Sequence, residues 1–490
     1  MSKKNQNYTN RKQNRFQPER MRGNVFVNNS GKQWLPGKNG RAAKVDRLLR
    51  VAKEDKKEIA GNMAGYKDSG VEEVKFIPKD WNTLRMKDTF NISKEIIGDK
   101  WTEAALLSLT TNGVKSITAD EQVGKRPKTF ATYQRVTKND IVMCLFDLDA
   151  SAVFSGLSGY DGMISPAYKI LKTKEQVLPE FANYYFQYIF EGRKYKKYAK
   201  SIRYTLSGEE FLRLLIILPP IPEQQRIADF LDTKCGILDR TIDAVSRQIE
   251  DMEKYKKALI TKTVTKGICK KGEAERKMKD SGVEWIGDVP EEWSVKPFKA
   301  LAGMKGSSEY TARDIVDEGE GAILLSPSNI NDNKLNLSKR TYISQKKYDK
   351  STTKIQRGDL LFTKTASVGK CVIYDSDEPA MPNPQLVVLK NIKCLPKFLY
   401  YSMVSDVMQA PAKMYVYGSV IPTISQLNLG RIKIPVPSPE EQQQIADYLD
   451  EKCKNIDNRV QKRRQQLEWL KEYKKNLIFD YVTGKKRVKE

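Results

Sequence analysis

The stretch Ile227-Ala228-Asp229-Phe230-Leu231-Asp232 recurs as Ile445-Ala446-Asp447-Tyr448-Leu449-Asp450, 218 positions further along the chain. The same offset carries Tyr255-Lys256-Lys257 onto Tyr473-Lys474-Lys475. Such ordered recurrence indicates the duplication of a unit of about 215 residues, and this duplication decides the architecture. Further anchors recur in the same order at offsets close to 218: Lys67 to Glu72 as Lys279 to Glu284, Pro78 and Trp81 as Pro290 and Trp293, Asn139 to Val142 as Gly358 to Leu361, and Leu178 to Phe181 as Leu395 to Phe398.

The repeated stretch opens a helix in both copies, and each helix carries apolar residues at intervals of three and four. This heptad spacing, sustained over about four heptads, is typical of a coiled-coil seam, although Arg463 interrupts the second copy. A small domain cannot bury so long a stripe, so we expect the two helices to pair with each other, antiparallel. The alternatives are that each helix lies on its own domain or pairs with another subunit. The predicted seam residues are Leu231, Leu238, Ile242, Val245, Ile249, Met252, Leu449, Ile456, Val460, Leu467 and Leu470.

Each repeat has the same internal order of elements. A short opening motif leads to β-rich runs, then to a helix with proline in its first turn, then to an apolar strand that ends in proline. This order predicts an α+β chain: two mixed α/β target-recognition domains in tandem repeat, joined by two long antiparallel coiled-coil helices. The predicted boundaries are 1–65 (basic extension), 66–218 (domain 1), 219–268 (central helix), 269–277 (linker), 278–435 (domain 2), 436–484 (C-terminal helix) and 485–490 (basic tail).

The charge of the chain indicates a polyanionic partner. The 86 Lys and Arg residues against 61 Asp and Glu give a formal net charge of +25 and a sequence pI near 9.5. Because basic side chains release counterions when they bind phosphates, such a surplus favours nucleic acid, although a soluble protein can also merely tolerate it. Residues 1–62 alone hold 16 basic and 5 acidic residues. This N-terminal segment is expected to be a flexible basic arm that touches DNA phosphates or a solvated tail without a role.

Several classes of chemistry have no support in the sequence. Histidine is absent, which removes histidine bases, Ser–His and Cys–His nucleophile pairs and most zinc sites. The stretch nearest to a phosphate-binding loop, Ala366 to Cys371, lacks the first glycine and the hydroxyl residue. A methyltransferase motif is also missing, since Pro382 to Leu386 lacks the second adjacent proline and the aromatic residue. We therefore predict no catalytic residues and no metal site, and the rival enzyme hypothesis has little support.

The six cysteines are scattered singly, without a CxxC pair. This pattern predicts free thiols in a reducing compartment, and with no apolar run of about 18 residues and no signal segment it predicts a cytoplasmic protein. Cys235 and Cys453 occupy equivalent seam positions, where small buried apolar groups are expected.

The motifs resemble those of a known family, the specificity subunits of type I restriction–modification systems. The resemblance covers residues 66–484 and is carried twice by an opening motif, a variable domain, a Pro…Glu-Gln-Gln…Ile-Ala…Leu-Asp stretch and a long helix. The first opening motif departs from the family pattern, because Glu73 stands where tryptophan is expected. The basic N-terminal segment is a second departure, since a family-like chain would begin near Met63. The carriers are Ser281 to Trp293, Pro222 to Ile227, Pro439 to Ile445, Gly358 to Thr365 and Asp161 to Tyr168.

The resemblance implies a division of labour. Each domain would read one half of a split target in double-stranded DNA, the helices would set the spacing, and partner subunits would do the chemistry. The implied partners are methyltransferase (modification) subunits and an ATP-driven restriction subunit. No cofactor is expected on this chain, and S-adenosylmethionine, ATP and Mg are expected on the partners. Two related readers suit half-sites roughly 34 Å, or multiples of it, apart. The rival hypothesis is a coiled-coil scaffold without sequence-specific DNA binding.

Two groups of residues are candidates for contact with DNA. In domain 1, basic residues with interleaved tyrosines could grip phosphates and pack along sugars, or could form a solvated helix end. In domain 2, a loop after a predicted strand is either functional or an ordinary hairpin turn. The candidates are Arg193, Lys194, Lys196, Lys197, Lys200, Arg203 and Tyr204 in domain 1, and Lys364, Thr365, Ser367 and Lys370 on the loop of domain 2. Arg340, outside that loop, is a separate candidate for a phosphate contact.

Overall fold

The chain divides into two compact units, residues 1–81 and 82–490. The basic segment 1–62 and the candidates Lys200 and Arg203 lie outside the described residues. The computed structural model describes residues 65–111, 113–118, 120–121, 127–148, 151, 153–197, 204–268, 276–307 and 309–488.

Short strands are the most numerous secondary-structure elements of the described residues. In chain order they are β1 (Tyr66–Asp68), β2 (Phe76–Pro78), β3 (Asn82–Arg85), β4 (Phe90–Ser93), β5 (Leu107–Thr110), β6 (Gly113–Ser116), β7 (Gln134–Val136), β8 (Ile141–Met143), β9 (Ser155–Leu157), β10 (Gly162–Ile164), β11 (Lys169–Thr173), β12 (Leu215–Leu218), β13 (Met278–Asp280), β14 (Asp288–Pro290), β15 (Ser294–Pro297), β16 (Gly303–Lys305), β17 (Ile315–Val316), β18 (Gly321–Leu325), β19 (Ile330–Asn331), β20 (Lys334–Leu335), β21 (Tyr342–Ser344), β22 (Leu360–Thr363), β23 (Cys371–Ile373), β24 (Ala380–Pro382), β25 (Leu386–Lys390) and β26 (Lys433–Val436).

The α-helices of the described residues are mostly short, with two long exceptions. They are α1 (Met86–Thr89), α2 (Pro179–Glu191), α3 (Gly208–Leu212), α4 (Ile221–Lys266), α5 (Phe298–Leu301), α6 (Gln345–Asp349), α7 (Pro396–Val404), α8 (Asp406–Met414), α9 (Gln426–Arg431) and α10 (Pro439–Val482).

Both repeats open on a hairpin. In the first repeat, β1 pairs antiparallel with β2, with Tyr66 opposite Pro78. In the second repeat, β13 pairs with β14 in the same register, with Met278 opposite Pro290, 212 positions later. The recurrent Lys-Asp-Ser-Gly-Val-Glu motif therefore forms the same local structure in both copies.

Both domains also contain a four-stranded antiparallel sheet of the same strand order, β4-β11-β8-β9 in domain 1 and β16-β25-β22-β23 in domain 2. In β22, Leu360 and Phe362 pack with Phe398 of α7 on one face, whereas Leu361 packs with Val388 on the other. Because successive strand residues point to opposite faces, burial of both faces explains why β22 is apolar without alternation. Domain 2 adds a second four-stranded sheet, β17-β21-β18-β24.

The two long helices match the predicted heptad segments. Helix α4 has 46 residues and α10 has 44, so each extends for roughly 66–69 Å at 1.5 Å per residue. Prolines in the first turn start both helices, and Gly267 with φ of 77° ends α4. The helices share one apolar cluster made of Leu238, Val245, Ile249, Ile456, Val460 and Leu470, with Ile242, Met252 and Leu467 partly buried against it.

Two predicted seam residues differ from this pattern. Leu449 is fully buried but belongs to the core of domain 2, where it packs with Phe398 and Ile445, and Leu231 is buried outside the shared cluster. The first heptad of each helix therefore does not extend the shared apolar cluster, which is shorter than the heptad pattern predicted. Cys235 and Cys453 are buried as expected, and burial raises the pKa of their thiols to about 12 and about 11.

Two equivalent ion pairs define how the long helices face each other. Lys256 Nζ lies 2.7 Å from Asp457 Oδ1, and Lys474 Nζ lies 2.7 Å from Asp239 Oδ1. As the residue number increases along α4 from 239 to 256, the number of the paired residue in α10 decreases from 474 to 457. The helices therefore run in opposite directions. An offset of 218 exchanges the two pairs, which is the signature of a pseudo-two-fold axis. Partly exposed ion pairs add only about 0.2–1 kcal/mol each, so their main contribution here is to specify register.

The Glu-Gln motif at the start of each long helix fastens that helix to its domain. Gln224 accepts a hydrogen bond from the Leu178 N–H (2.9 Å) and donates to the Pro219 carbonyl (2.9 Å). Gln442 accepts from the Leu395 N–H (2.8 Å) and donates to the Pro437 carbonyl (2.9 Å). Both glutamines are buried, and Leu178 and Leu395 immediately precede α2 and α7. The motif therefore links two helix starts through one amide side chain.

The glutamate of the same motif ties together the opposite ends of the long helices. Glu223, at the start of α4, pairs with Arg487, which follows α10, at 2.7 Å. Glu441, at the start of α10, accepts hydrogen bonds from Arg276, which follows α4, and from the Trp293 Nε1–H (2.8 Å). Each long helix is therefore connected at its start to the chain that leaves the other.

We predict that Gln224→Leu lowers the free energy of unfolding by about 1–3 kcal/mol, because it leaves the Leu178 N–H and the Pro219 carbonyl without this partner. Gln225→Leu is the matched control, since its neighbouring side chain is exposed and reaches only Asp229. Urea denaturation followed by circular dichroism measures both. Equal stability of the two variants would refute the fastening role of Gln224.

Candidate DNA interface

Two loops that are far apart in sequence meet at one end of domain 2. The first, residues 364–370, connects β22 to β23, and the second is residues 414–424, which follows α8. Thr365 and Thr423 form a β-bridge, and the Lys364 carbonyl accepts a hydrogen bond from the Ile424 N–H at 2.9 Å. The Ala366 N–H donates to the Pro422 carbonyl at 2.8 Å. We call these two segments loop pair 2.

The second loop of this pair is itself a tight hairpin. Tyr417 and Thr423 exchange two backbone hydrogen bonds of 2.8 and 2.9 Å. Gly418 at its turn has φ of 91°, and a Cβ there would lie 2.6 Å from the Ile421 carbonyl oxygen. Only glycine fits this turn without strain, so the hairpin has a defined shape.

Domain 1 has an equivalent arrangement. The Leu206 N–H donates to the Leu145 carbonyl at 2.8 Å, and the Asp147 N–H donates to Thr205 Oγ1 at 3.2 Å. Thr205 and Leu206 correspond to Thr423 and Ile424 at the offset of 218. The next residues, Ser207 and Ser425, cap the following helices in both domains. The described parts of residues 145–153 and 193–206 therefore form loop pair 1.

The two loop pairs also share an unusual backbone feature. Asp147 and Ala366, each two residues into its first loop, have φ values of 51° and 65°. Non-glycine residues seldom adopt this region, and its recurrence at equivalent places indicates a common loop geometry. The duplication thus extends to the loops that the strands β8 and β22 lead into.

The basic run of domain 1 lies in loop pair 1. Arg193 is exposed, and Lys194 and Lys197 bound a short 3-10 helix. Lys196 Nζ lies 4.3 Å from the centre of the Tyr204 ring, in cation–π geometry. These positions keep the run a candidate phosphate-binding surface.

The tyrosine of that 3-10 helix does not line the surface as expected. Tyr195 is buried, packs against the stacked rings of Phe154 and Phe190, and donates its hydroxyl hydrogen to the Leu148 carbonyl at 3.2 Å. A buried aromatic ring with a satisfied hydroxyl is a packing element. Tyr195 therefore anchors the loop to the domain. The prediction that the interleaved tyrosines pack along DNA sugars is wrong for this residue.

The candidates of domain 2 separate into two groups. Lys364, Thr365 and Ser367 lie half-buried in loop pair 2. Lys370 Nζ donates to the Ile330 carbonyl at 3.0 Å, which ties it to the neighbouring strand β19. Arg340 pairs with Glu378 at 2.7 Å and lies outside the loop pair, so its charge is already compensated.

The described residues contain no group of three or more Cys, Asp or Glu side chains that could hold a metal ion. Burial raises the pKa of the Cys371 thiol above its ordinary value and that of Cys394 to about 11, which makes both thiols poor nucleophiles. In the same part of the chain, no helix is long and apolar enough to span a membrane.

Comparison with known proteins assigns the family. The protein-family model described as the type I restriction modification DNA specificity domain matches residues 78–253 and 290–468 of the sequence, which together are more than half of the chain. The chain belongs to this family. Each specificity domain match includes one loop pair and much of the long helix that follows it.

Relatives and solved structures agree with this family. The type I restriction enzyme MjaVIII specificity subunit of Methanocaldococcus jannaschii is 25% identical over 447 residues, covering 87% of this chain and 98% of that protein. The putative MjaX specificity subunit of the same organism is 25% identical over 446 residues, covering 85% and 96%. A chain in a solved type I restriction–modification system covers 83% of this chain and 98% of its own, with 15% identity and a TM-score of 0.60. The last similarity concerns the fold.

Residues 414–424 were not among the candidates, although they complete loop pair 2. A sequence signal for them exists. Extending the offset of 218 backwards from Ile227 aligns Thr205-Leu206-Ser207 with Thr423-Ile424-Ser425, and places residues 193–204 opposite 411–422. The two segments differ so much in composition that similarity alone does not reveal their equivalence.

Proposed function

We propose that this chain is the DNA-recognition subunit of a type I restriction–modification complex, in which each specificity domain reads one half of a bipartite target through its loop pair. The observation that carries this proposal is the recurrence of one loop geometry in both domains, on a scaffold with pseudo-two-fold ion pairs. Sites for a duplicated reader are expected to be two half-sites separated by a fixed distance. The basic surplus of the chain supports contact with phosphates.

The long helices would act as an antiparallel coiled coil that sets the distance between the half-sites. The shared apolar cluster and the reciprocal pairs Lys256–Asp457 and Lys474–Asp239 support this role, because they hold the helices in one register. Residues that follow one long helix are tied to the start of the other, which further restricts sliding.

Catalysis would belong to partner subunits. Methyltransferase (modification) subunits would bind S-adenosylmethionine, and a restriction subunit would use ATP and Mg, whereas this chain would select the DNA sequence on which they act. Among the described residues, the chemistry available is hydrogen bonding, charge and apolar contact, which is what sequence recognition requires.

The test is sequencing of modified bases in a host that carries this chain together with its modification subunits. We expect one bipartite motif, made of two short blocks with a fixed gap, which disappears when this chain is deleted. Modification that persists after the deletion, or a contiguous motif, would contradict the proposed function.

A further inference from the structure

The hairpin of loop pair 2 exposes an unusual number of apolar side chains. Val420 is 89% exposed, Tyr417 57% and Ile421 57%, and Met414, the last residue of α8 just before the hairpin, is 74% exposed. Isolated exposed apolar residues are ordinary, but a contiguous group on one projecting hairpin indicates a binding surface. The hydrogen bonds at Tyr417 and the turn at Gly418 hold these side chains outward in a fixed arrangement.

The equivalent segment of domain 1 has the opposite character. Residues 193–204 contain six Lys and Arg, whereas residues 411–422 contain one, Lys413. The residues that come next, Thr205-Leu206 and Thr423-Ile424, pair with equivalent loops, and the capping serines Ser207 and Ser425 follow them. At corresponding positions of the sequence, the two domains therefore carry different chemistry.

Equivalence of position argues for the same class of partner on both sides. In domain 1 the segment is basic, which suits DNA. In domain 2 the exposed Lys413 precedes the apolar tip in the chain, and the half-buried Lys364 lies in the loop that pairs with it, so both could hold phosphates while the tip reaches into a groove. A protein-docking patch would not need to occupy the position that the other domain fills with lysines and arginines.

The groups on the tip restrict what it can recognise. Val and Ile side chains cannot hydrogen-bond to base edges. In the major groove, the apolar feature that distinguishes ordinary bases is the C5-methyl group of thymine. Resting on the proposed function, we propose that domain 2 identifies its half-site partly through apolar contact of Val420 and Ile421 with thymine methyl groups.

The test uses the complete complex and duplexes that contain its own modified motif. Each thymine of the domain 2 half-site is replaced by deoxyuridine, which lacks only the C5-methyl group. We expect affinity to fall about fourfold for each methyl group contacted, the equivalent of about 0.8 kcal/mol for one buried methylene at 1.4 kcal/mol per tenfold. The same replacement in the domain 1 half-site should have a smaller effect. Unchanged affinity with deoxyuridine, or a domain 2 half-site without any thymine, overturns the proposal.

The variant Val420→Ser extends the test with little risk to folding, because this side chain is 89% exposed and serine removes both of its methyl groups. Its preference for thymine over deoxyuridine should fall towards one, with an unchanged dependence of binding on salt, because apolar contact releases no counterions. Leu427→Ser is the control, since Leu427 is 65% exposed but lies on α9, outside the loop pair. Its thymine preference should be that of the unaltered chain.

The outcomes separate this inference from the proposed function. If Val420→Ser weakens assembly with the modification subunits and leaves the thymine preference intact, the hairpin docks a protein and the inference is wrong. If the complex binds its bipartite motif but ignores the loss of methyl groups, only the inference fails. If the complex selects no bipartite motif, the proposed function itself fails.

Discussion

A chain in which a second copy of residues 66–218 replaces residues 278–436 is expected to recognise an inverted repeat of one half-site. The pseudo-two-fold relation between Lys256–Asp457 and Lys474–Asp239 makes the two ends of the scaffold equivalent. A domain placed at the second end should therefore read the same bases, on the opposite strand, as it reads at the first.

The graft should fold because the junctions repeat. Gln442 fastens domain 2 through the Leu395 N–H, a backbone group that Leu178 supplies in domain 1. The hydrogen bond from the Tyr401 hydroxyl to Asp450 at 2.6 Å has its counterpart between Tyr184 and Asp232, also at 2.6 Å. The transplanted domain would therefore bring hydrogen-bond partners for Gln442 and for Asp450.

Modified-base sequencing of a host that carries the grafted chain and the modification subunits measures the outcome. The reciprocal graft, with residues 278–436 in place of 66–218, is the control and should yield an inverted repeat of the other half-site. An unchanged asymmetric motif, or loss of both halves in a chain that still assembles, would show that a half-site is not read by one domain alone.

The sequence predicted the scaffold well because its signals are local and periodic. Heptad spacing marks α4 and α10 through side chains that repeat every turn or two, and proline marks where both helices begin. The repeat likewise predicted two similar domains. The pattern overestimated the shared cluster only at Leu231 and Leu449, and Leu449 packs in the core of domain 2 instead.

The loop pairs were less predictable for a physical reason. Thr365 and Thr423 meet through backbone groups, and backbone hydrogen bonds leave no residue signature in a single sequence. Tyr195 was misjudged because its basic neighbours suggested a solvated surface, whereas the ring fills a gap beside Phe154 and Phe190. Phe154 is about 40 positions away in the sequence, and the local pattern of charges cannot indicate a contact with it.

Duplication of residues 241–247 in α4 together with residues 459–465 in α10 is expected to lengthen the gap of the recognised motif. In each of the two facing ion pairs the residue numbers add up to 713, since 256 pairs with 457 and 239 pairs with 474. Facing positions of the two antiparallel helices therefore have residue numbers with this sum. Positions 247 and 466 therefore face each other, and the two insertion points lie opposite one another at the pseudo-two-fold axis. Seven added residues in each helix keep the heptad phase and both ion pairs while extending the scaffold by about 10 Å.

B-DNA advances about 3.4 Å per base pair, so the gap should grow by up to about three base pairs where the helices lie along the duplex. Duplication of only four residues in each helix, 244–247 and 462–465, is the matched control. It rotates the apolar seam out of phase and should impair assembly more than the full heptad does, despite the smaller change in length. Modified-base sequencing again measures the motif. An active heptad variant that keeps the parental gap would show that the partner subunits, rather than α4 and α10, set the distance between the half-sites.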